Sequence, residues 1–332
     1  MKNGLKRLLK ATCALLMLSS LHLKTQAQYS RFELGFELGF SNFLGDLGGN
    51  AGKGQTFLKD NMMSLAHSIK GMHIAYRPTE FLNLRLSLNV GRIGGADSLI
   101  KGNGGYEEAR KVRNQHFQSP IKEALFLTEF YPTALFVYDP EDVYHRLRPY
   151  FVIGVGVFHF NPLGQYVDEQ GYKHWVDLKP LRTEGQGMPQ YPDRKEYKLT
   201  QMNFPYGFGV KYYVNDKVSL ALEIVNRKTF TDYVDDVSTA YISNEDFYNY
   251  FGEASGRAKV AVQMANKTAF ANGGVYRPNY GVGSKRGTAT NNDAYYATSI
   301  KVNIRLGKGK NSDGYYYNRS SKSEVDCPIV RF

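Results

Sequence analysis

Cysteine is nearly missing from this chain: among 332 residues there are only Cys13 and Cys327. Cys13 sits in an N-terminal leader described below, so one thiol remains and neither an intramolecular disulfide nor a cysteine-based zinc site can form. Tryptophan occurs once, at Trp175. After the first 25 residues no stretch approaches the roughly 18 to 20 apolar residues that a membrane-crossing helix needs, and the mean hydropathy is −0.43. That excludes a helical membrane protein. There is also no G-x-S-x-G elbow, no H-E-x-x-H helix and no Lys-Ser/Thr phosphate loop, and no Lys/Arg run is interleaved with stacking aromatics. Serine hydrolase, zinc protease, nucleotide-binding and nucleic-acid-binding readings lose their support, and neither a metal nor a cofactor is expected.

What is abundant is Tyr (25), Phe (20) and Gly (33), a composition of many short strands and turns. The first segment is set apart. Lys2, Lys6, Arg7 and Lys10 precede an apolar run from Ala11 to Leu18 and a small-residue site, Thr25-Gln26-Ala27, the order of a secretory signal cleaved after Ala27. Cys13 lies inside the apolar run, which does not suit a lipoprotein. The net charge of +11 falls by the five basic residues of this leader, so the mature chain is only mildly basic.

Period-two alternation is clearest at Phe32, Leu34, Phe36, Leu38 and Phe40, which face away from Glu33, Gly35, Glu37 and Gly39. It recurs at Leu82, Leu84, Leu86, Leu88 and Val90, and at Ile300, Val302, Ile304 and Leu306. Five large apolar residues on one side, with charge and glycine on the other, fit a strand between lipid and a polar lumen. Further strands are expected near 65–77, 117–130, 148–160, 199–214 and 218–231, making eight. The connections 46–64, 94–116, 161–198 and 232–293 are long, whereas Pro78-Thr79-Glu80 and Asn215-Asp216-Lys217 are turn-sized; 131–147 is too long for a tight turn. Alternating short and long connections are those of an outer-membrane barrel. The expected fold is therefore all-β: an eight-stranded antiparallel outer-membrane β-barrel (28–306) with long extracellular loops, preceded by a signal (1–27) and followed by a periplasmic C-terminal tail (307–332). A soluble lipocalin-like barrel would also have eight strands, but with its apolar residues inside. Glu33, Glu37, Arg85, Lys301 and Arg305 are expected to pair across a lumen that side chains nearly fill.

Asp232, Asp235 and Asp236 form the densest acidic cluster. Three carboxylates could hold a calcium ion, but the spacing lacks an EF-hand's ligands and turn-closing aspartates are the stronger reading. His116, His145, His159 and His174 read as isolated, so no catalytic residue is assigned. The glycines of Gly154-Val155-Gly156 read as close packing within a strand.

Several segments in order resemble the PorG-like family of outer-membrane barrels of Bacteroidota, associated with type IX secretion. They include Phe36-Glu37-Leu38-Gly39, Ser41-Asn42-Phe43-Leu44-Gly45-Asp46-Leu47, Tyr76-Arg77-Pro78, Arg148-Pro149-Tyr150 and Pro205-Tyr206-Gly207-Phe208-Gly209. The loop from Trp175 to Pro180 with Thr183-Glu184-Gly185-Gln186-Gly187 follows the same pattern. So do Glu223 with Arg227-Lys228-Thr229-Phe230-Thr231-Asp232-Tyr233-Val234-Asp235-Asp236, and Cys327-Pro328 near Phe332. The chain departs by inserting Ile329 and Val330 after Cys-Pro and by its long last loop. The resemblance implies a non-enzymatic barrel that sits in outer-membrane lipid and anchors a periplasmic ring, built from a lipoprotein and its soluble partner, in the protein-secretion machinery. Cys327, Pro328 and Phe332 would be partner-binding; Trp175, Glu184, Arg227, Asp232, Asp235 and Asp236 would be loop motif residues. The alternative is a stand-alone barrel that binds or passes a small apolar ligand, its large loops forming a mouth.

Overall fold

The computed structural model describes residues 31–47, 65–100, 106–136, 143–215, 217–268 and 280–306. The leader, the tail, parts of three long connections, residues 137–142 and Asp216 lie outside the described residues.

Among the described residues there are ten strands: β1 (Phe32–Leu44), β2 (His67–Tyr76), β3 (Leu82–Ala96), β4 (His116–Phe130), β5 (Leu147–Phe160), β6 (Leu163–Val167), β7 (Lys173–Asp177), β8 (Thr200–Tyr213), β9 (Val218–Thr229) and β10 (Ala294–Arg305). Eight of them, β1–β5 and β8–β10, form one antiparallel ring. Neighbours pair in order, β10 pairs back onto β1 from Glu33↔Arg305 to Leu44↔Ala294, and β3 pairs with β4 along its whole length. A closed sheet has no edge left to pair with another chain. β6 and β7 form a hairpin outside the ring, inside the long connection after β5, touching β4 at Gln118↔Leu163.

The side assignment decides between the two barrels. Phe36, Leu38, Phe40, Leu86, Leu88, Phe126, Phe151, Ile153, Leu222 and Ile300 are all exposed on the outer wall. Between them, Glu33, Arg85, Asn89, Glu123, Glu129, Lys211, Glu223 and Lys301 are buried inside. Apolar outside and charged inside is the reverse of a soluble barrel; this wall would precipitate in water and is at home in lipid. Rings collect at the turn end, where Phe32 lies 5.0 Å from Tyr76 and Phe81 lies 6.5 Å from Phe130, as in an interfacial aromatic girdle.

A membrane crossing takes about 9 to 11 residues per tilted strand, and most ring strands are longer. The surplus lies at the loop end. In β1 the alternation stops at Ser41, Asn42 and Phe43, all buried, because there the strand leaves the apolar band and enters packed loops. β3 likewise continues through Gly94 and Gly95 to Ala96, past the point where the sequence suggests a loop. At Gly154 an added Cβ would meet the Phe126 carbonyl and the Leu127 side chain, and at Gly156 the Leu125 and Asn203 side chains, so these glycines mark close packing.

Replacing Leu86 by Lys on the outer wall should destabilise the folded barrel by about 2–4 kcal/mol, the cost of a cation near mid-bilayer. Urea unfolding in lipid vesicles measures it; a neutral outcome would contradict the assignment of that face to lipid.

Candidate functional site

Two connected zones gather the polar side chains: a ladder inside the barrel and a folded cap over its loop end. The ladder follows from alternation, since every second residue of eight strands must share a narrow lumen and any charge there needs a partner. Nearest the turn end, Glu33 accepts from Arg77 Nη2 at 3.0 Å and pairs with Lys211, while Arg77 also donates to the Tyr213 hydroxyl. In the middle Arg85 donates through both terminal nitrogens to Glu223, each at 2.9 Å, and pairs with Glu129. Lys301 pairs with Glu223 from the other side. Tyr131 and Tyr150 donate to Glu129 and Glu223 at 2.6 and 2.8 Å. Higher up, Glu123 accepts from Arg227 Nη2 at 2.8 Å, from the Tyr295 hydroxyl at 2.7 Å and from Asn89 Nδ2 at 2.9 Å. Between these layers Leu125, Leu127, Val152 and Val225 fill the remaining space.

Of the five residues expected to pair across the lumen, Glu33, Arg85 and Lys301 do so as described, and Glu37 and Arg305 face the same interior half-buried. Glu123 and Glu129 were missed, although their period-two spacing in β4 could have found them.

Above the ladder the described parts of the long connections do not splay into a mouth. They fold on one another around Phe43, Ile93, Phe117, Phe158, Phe160, Leu178, Leu181, Val234, Phe247 and Met264, a shared apolar core. The helices Asn244–Phe251 and Gly256–Ala265, each started by a serine side chain accepting from the backbone, belong to it. Its polar junction is Glu184, which is fully buried. Glu184 accepts from Ser238 N–H and Thr239 N–H, both at 2.9 Å, from the Thr239 hydroxyl at 2.7 Å and from Arg286 Nη1 at 2.9 Å. Arg286 also donates to the carbonyls of Asp236 and Ala265, and Arg113 holds Asp97 with two nitrogens while donating to the carbonyls of Arg286 and Asp46. All four long connections are tied together in this way. The turn that delivers Glu184 needs left-handed backbone at Gly185 (φ 77°) and Gly187 (φ 69°), which glycine adopts without steric cost.

The structure thus brings Glu184 and Asp236 together through Arg286, and Asp236 accepts from the Tyr197 hydroxyl at 2.7 Å and from Thr183. Asp235 closes a turn by accepting from Val237 N–H at 3.0 Å and clamps the first connection through Leu47 N–H at 3.1 Å. Among the described residues, no group of three or more His, Cys, Asp or Glu side chains could hold a metal ion; turn closure is seen at Asp235, whereas the Asp236 carboxylate is taken up by Tyr197 and Thr183 from another connection. Arg227 belongs to the lumen and Trp175, half exposed on β7 with its ring 6.2 Å from that of His116, to the outside of the cap. Cys327, Pro328 and Phe332 lie outside the described residues. The histidines are not all isolated: His174 Nε2 sits 2.8 Å from Asp168 in an exposed pair, His159 Nδ1 3.0 Å from Thr200 Oγ1, and His116 beside Lys267.

Burial pushes the Asp232 carboxyl up to about 8, with Asp46 and Glu184 adding to it, and the Asp236 carboxyl up to about 6 against the pull of Arg286. Burial raises Asp235 and Asp293 as well, with the charges of Asp46 and Asp232 adding at Asp235 and those of Asp235 and Asp232 at Asp293. A carboxyl raised above its unfolded value of about 4 binds protons more tightly in the folded state, so its stabilisation is complete below pH ~4 and is lost as pH rises through the folded value. The cap should therefore loosen between pH ~4 and ~8, with Asp236 contributing up to about 6 and Asp232 up to about 8. Hydrogen exchange around 232–240 measures this, and Asp232→Asn should flatten the upper part of the profile; an unchanged profile would contradict the assignment. In the ladder, Arg85→Ala leaves Glu129 and Glu223 facing each other and should cost about 3–5 kcal/mol, read by urea unfolding.

No curated protein matches this chain. Among solved structures, it is similar to Neisserial surface protein A at 10% identity and a TM-score of 0.34, covering 84% of this chain and 99% of that one. A major outer membrane protein from Thermus thermophilus gives 11% identity and a TM-score of 0.33, covering 83% and 99%. A family profile described as outer membrane protein beta-barrel domain matches residues 11–250. With that match over most of its length, and with a ring of eight strands that is charged within and apolar without, the chain belongs to the outer membrane protein beta-barrel domain family.

Proposed function

We propose that this barrel is a non-enzymatic scaffold in the outer membrane that anchors the periplasmic ring of the type IX protein secretion machinery, as a PorG-like protein. The observation that carries this reading is the closed interior: ion pairs from Glu33 up to Glu123 and a packed cap above them. A barrel filled in this way passes nothing through its lumen, so its work is done at its surfaces, which favours a scaffold over a ligand-passing barrel. Export by the leader 1–27 puts the chain in the periplasm, and both ends of the ring, Phe32 and Arg305, open at the turn end. In this reading the turn end faces the periplasm and the cap faces outward. The connection after β4, with its short helical pieces Pro132–Leu135 and Val143–Arg146, and the tail carrying Cys327, Pro328 and Phe332 are then the parts within reach of a ring lipoprotein and its soluble partner.

Truncation before Gly307 should leave the barrel inserted and heat-modifiable but abolish secretion and co-purification of the ring proteins from gently solubilised native membranes. Normal secretion by the truncated form would overturn the tail assignment. Recovery of the barrel alone from both forms would favour the stand-alone reading instead.

A further inference from the structure

The outer wall carries charge of one sign, most of it in one place. Along the ring strands, the outward-facing described positions hold no Asp or Glu, and their strongly basic residues are Lys70 on β2, Arg92 on β3, Lys122 on β4 and Lys228 on β9. The first three are exposed and cluster on adjacent strands at the loop end. Register fixes their arrangement: Lys70 is opposite Val90, Val90 is opposite Lys122, and Lys122 is opposite His159. Arg92 lies two residues further along β3, on the same face. With strands about 4.8 Å apart and two residues spanning about 6.8 Å, the three Cα atoms form a triangle of roughly 8–10 Å on a side. Side chains as long as Lys and Arg can converge over such a triangle.

Toward the turn end the surface changes at once to Met72, Leu88 and Val157, all about half exposed. A hollow of about 750 Å³ lies at this boundary, lined by Lys70, Met72, Leu88, Lys122 and Val157 and also, from lumen-facing positions, by Glu37 and Glu123; Arg92 stands outside it. Among the described residues no carboxylate forms an ion pair with Lys70, Arg92 or Lys122. Three cations at the edge of an apolar band, without a counter-charge from the protein, are stable where the surrounding lipid supplies one. On the far wall Lys228 stands opposite Phe204 and Ala294, so the cluster is confined to one side of the barrel.

We propose that Lys70, Arg92 and Lys122 form a binding site for the phosphorylated sugar headgroup of an outer-leaflet glycolipid, whose acyl chains lie on Met72, Leu88 and Val157. The phosphates meet the cations as charge-assisted hydrogen bonds, with Arg92 presenting a two-pronged donor. The outer-leaflet assignment rests on the cap-outward orientation above, whereas the site itself does not, and the experiment reads the site alone.

The test is binding of bisphosphorylated lipid A to the purified full chain in neutral detergent, by native mass spectrometry, for the wild type, the triple variant K70Q/R92Q/K122Q and Lys228→Gln. Because the three side chains face outward, the triple variant should fold, which heat-modifiability checks. Its affinity for the glycolipid should fall at least about tenfold, the scale expected of three cations acting on an anionic headgroup, while Lys228→Gln stays within about twofold of wild type. Dephosphorylated lipid A should bind wild type and triple variant alike. Equal retention of the phosphorylated lipid by all three proteins would overturn the proposal. So would an equal loss on Lys228→Gln, which would mean diffuse charge, and so would full competition by inorganic phosphate at millimolar concentration, which would mean a free-anion site.

Discussion

The structure depends on one constraint: charges inside an eight-stranded ring have no water column to solvate them and must neutralise one another. Arg85 is the centre of the solution. It faces Glu129 and Glu223 at once, and Lys301 completes the set. A buried ion pair is weak as a source of net stability, since desolvation offsets most of the attraction, but losing one partner is costly. The ladder therefore acts mainly through register. Sliding β9 by one residue would turn Glu223 out into lipid and bring Leu222 or Ile224 inward, so the pairs hold the strands in the one alignment that also puts the apolar wall outside.

The same constraint explains the cap. Strands that outgrow the apolar band leave polar backbone and lumen-facing rings at their loop ends, and these are covered by the long connections. Phe158, Phe160 and Tyr295 begin inside the ring and end in the cap core, so lumen and cap form one continuous interior. Glu184 and Arg286 then do for the loops what Arg85 does for the strands, joining segments far apart in sequence through a buried charge with several hydrogen bonds.

The strands were legible because alternation is a local property: Phe32 to Phe40 and Leu82 to Val90 show their two faces within nine residues each. Which face met lipid followed from chemistry, as Arg85 and Glu37 lay opposite leucines and phenylalanines. The cap was not legible. Arg113, Arg286 and Asp97 carry no pattern that sets them apart from solvated loop residues, and the contact of Glu184 with Arg286 crosses 102 residues of chain. The hairpin β6–β7 was hidden for a related reason, since Lys173, His174 and Asp177 give it an exposed, polar face with little alternation. The aspartate cluster was partly legible: turn closure by Asp235 is local, whereas the approach of Asp46 and Asp293 depends on the whole cap.

The most direct test of the account is spin labelling along β3 at positions 84–90, in a chain with Cys327 replaced by serine, reconstituted in lipid. Power saturation with oxygen and with a water-soluble nickel complex reports which labels meet lipid and which meet water. The account predicts that labels at 84, 86, 88 and 90 are reached by oxygen, and that labels at 85, 87 and 89 are reached by neither agent because the lumen is filled. Nickel access at 85, 87 and 89 would show a water-filled channel and contradict the central claim.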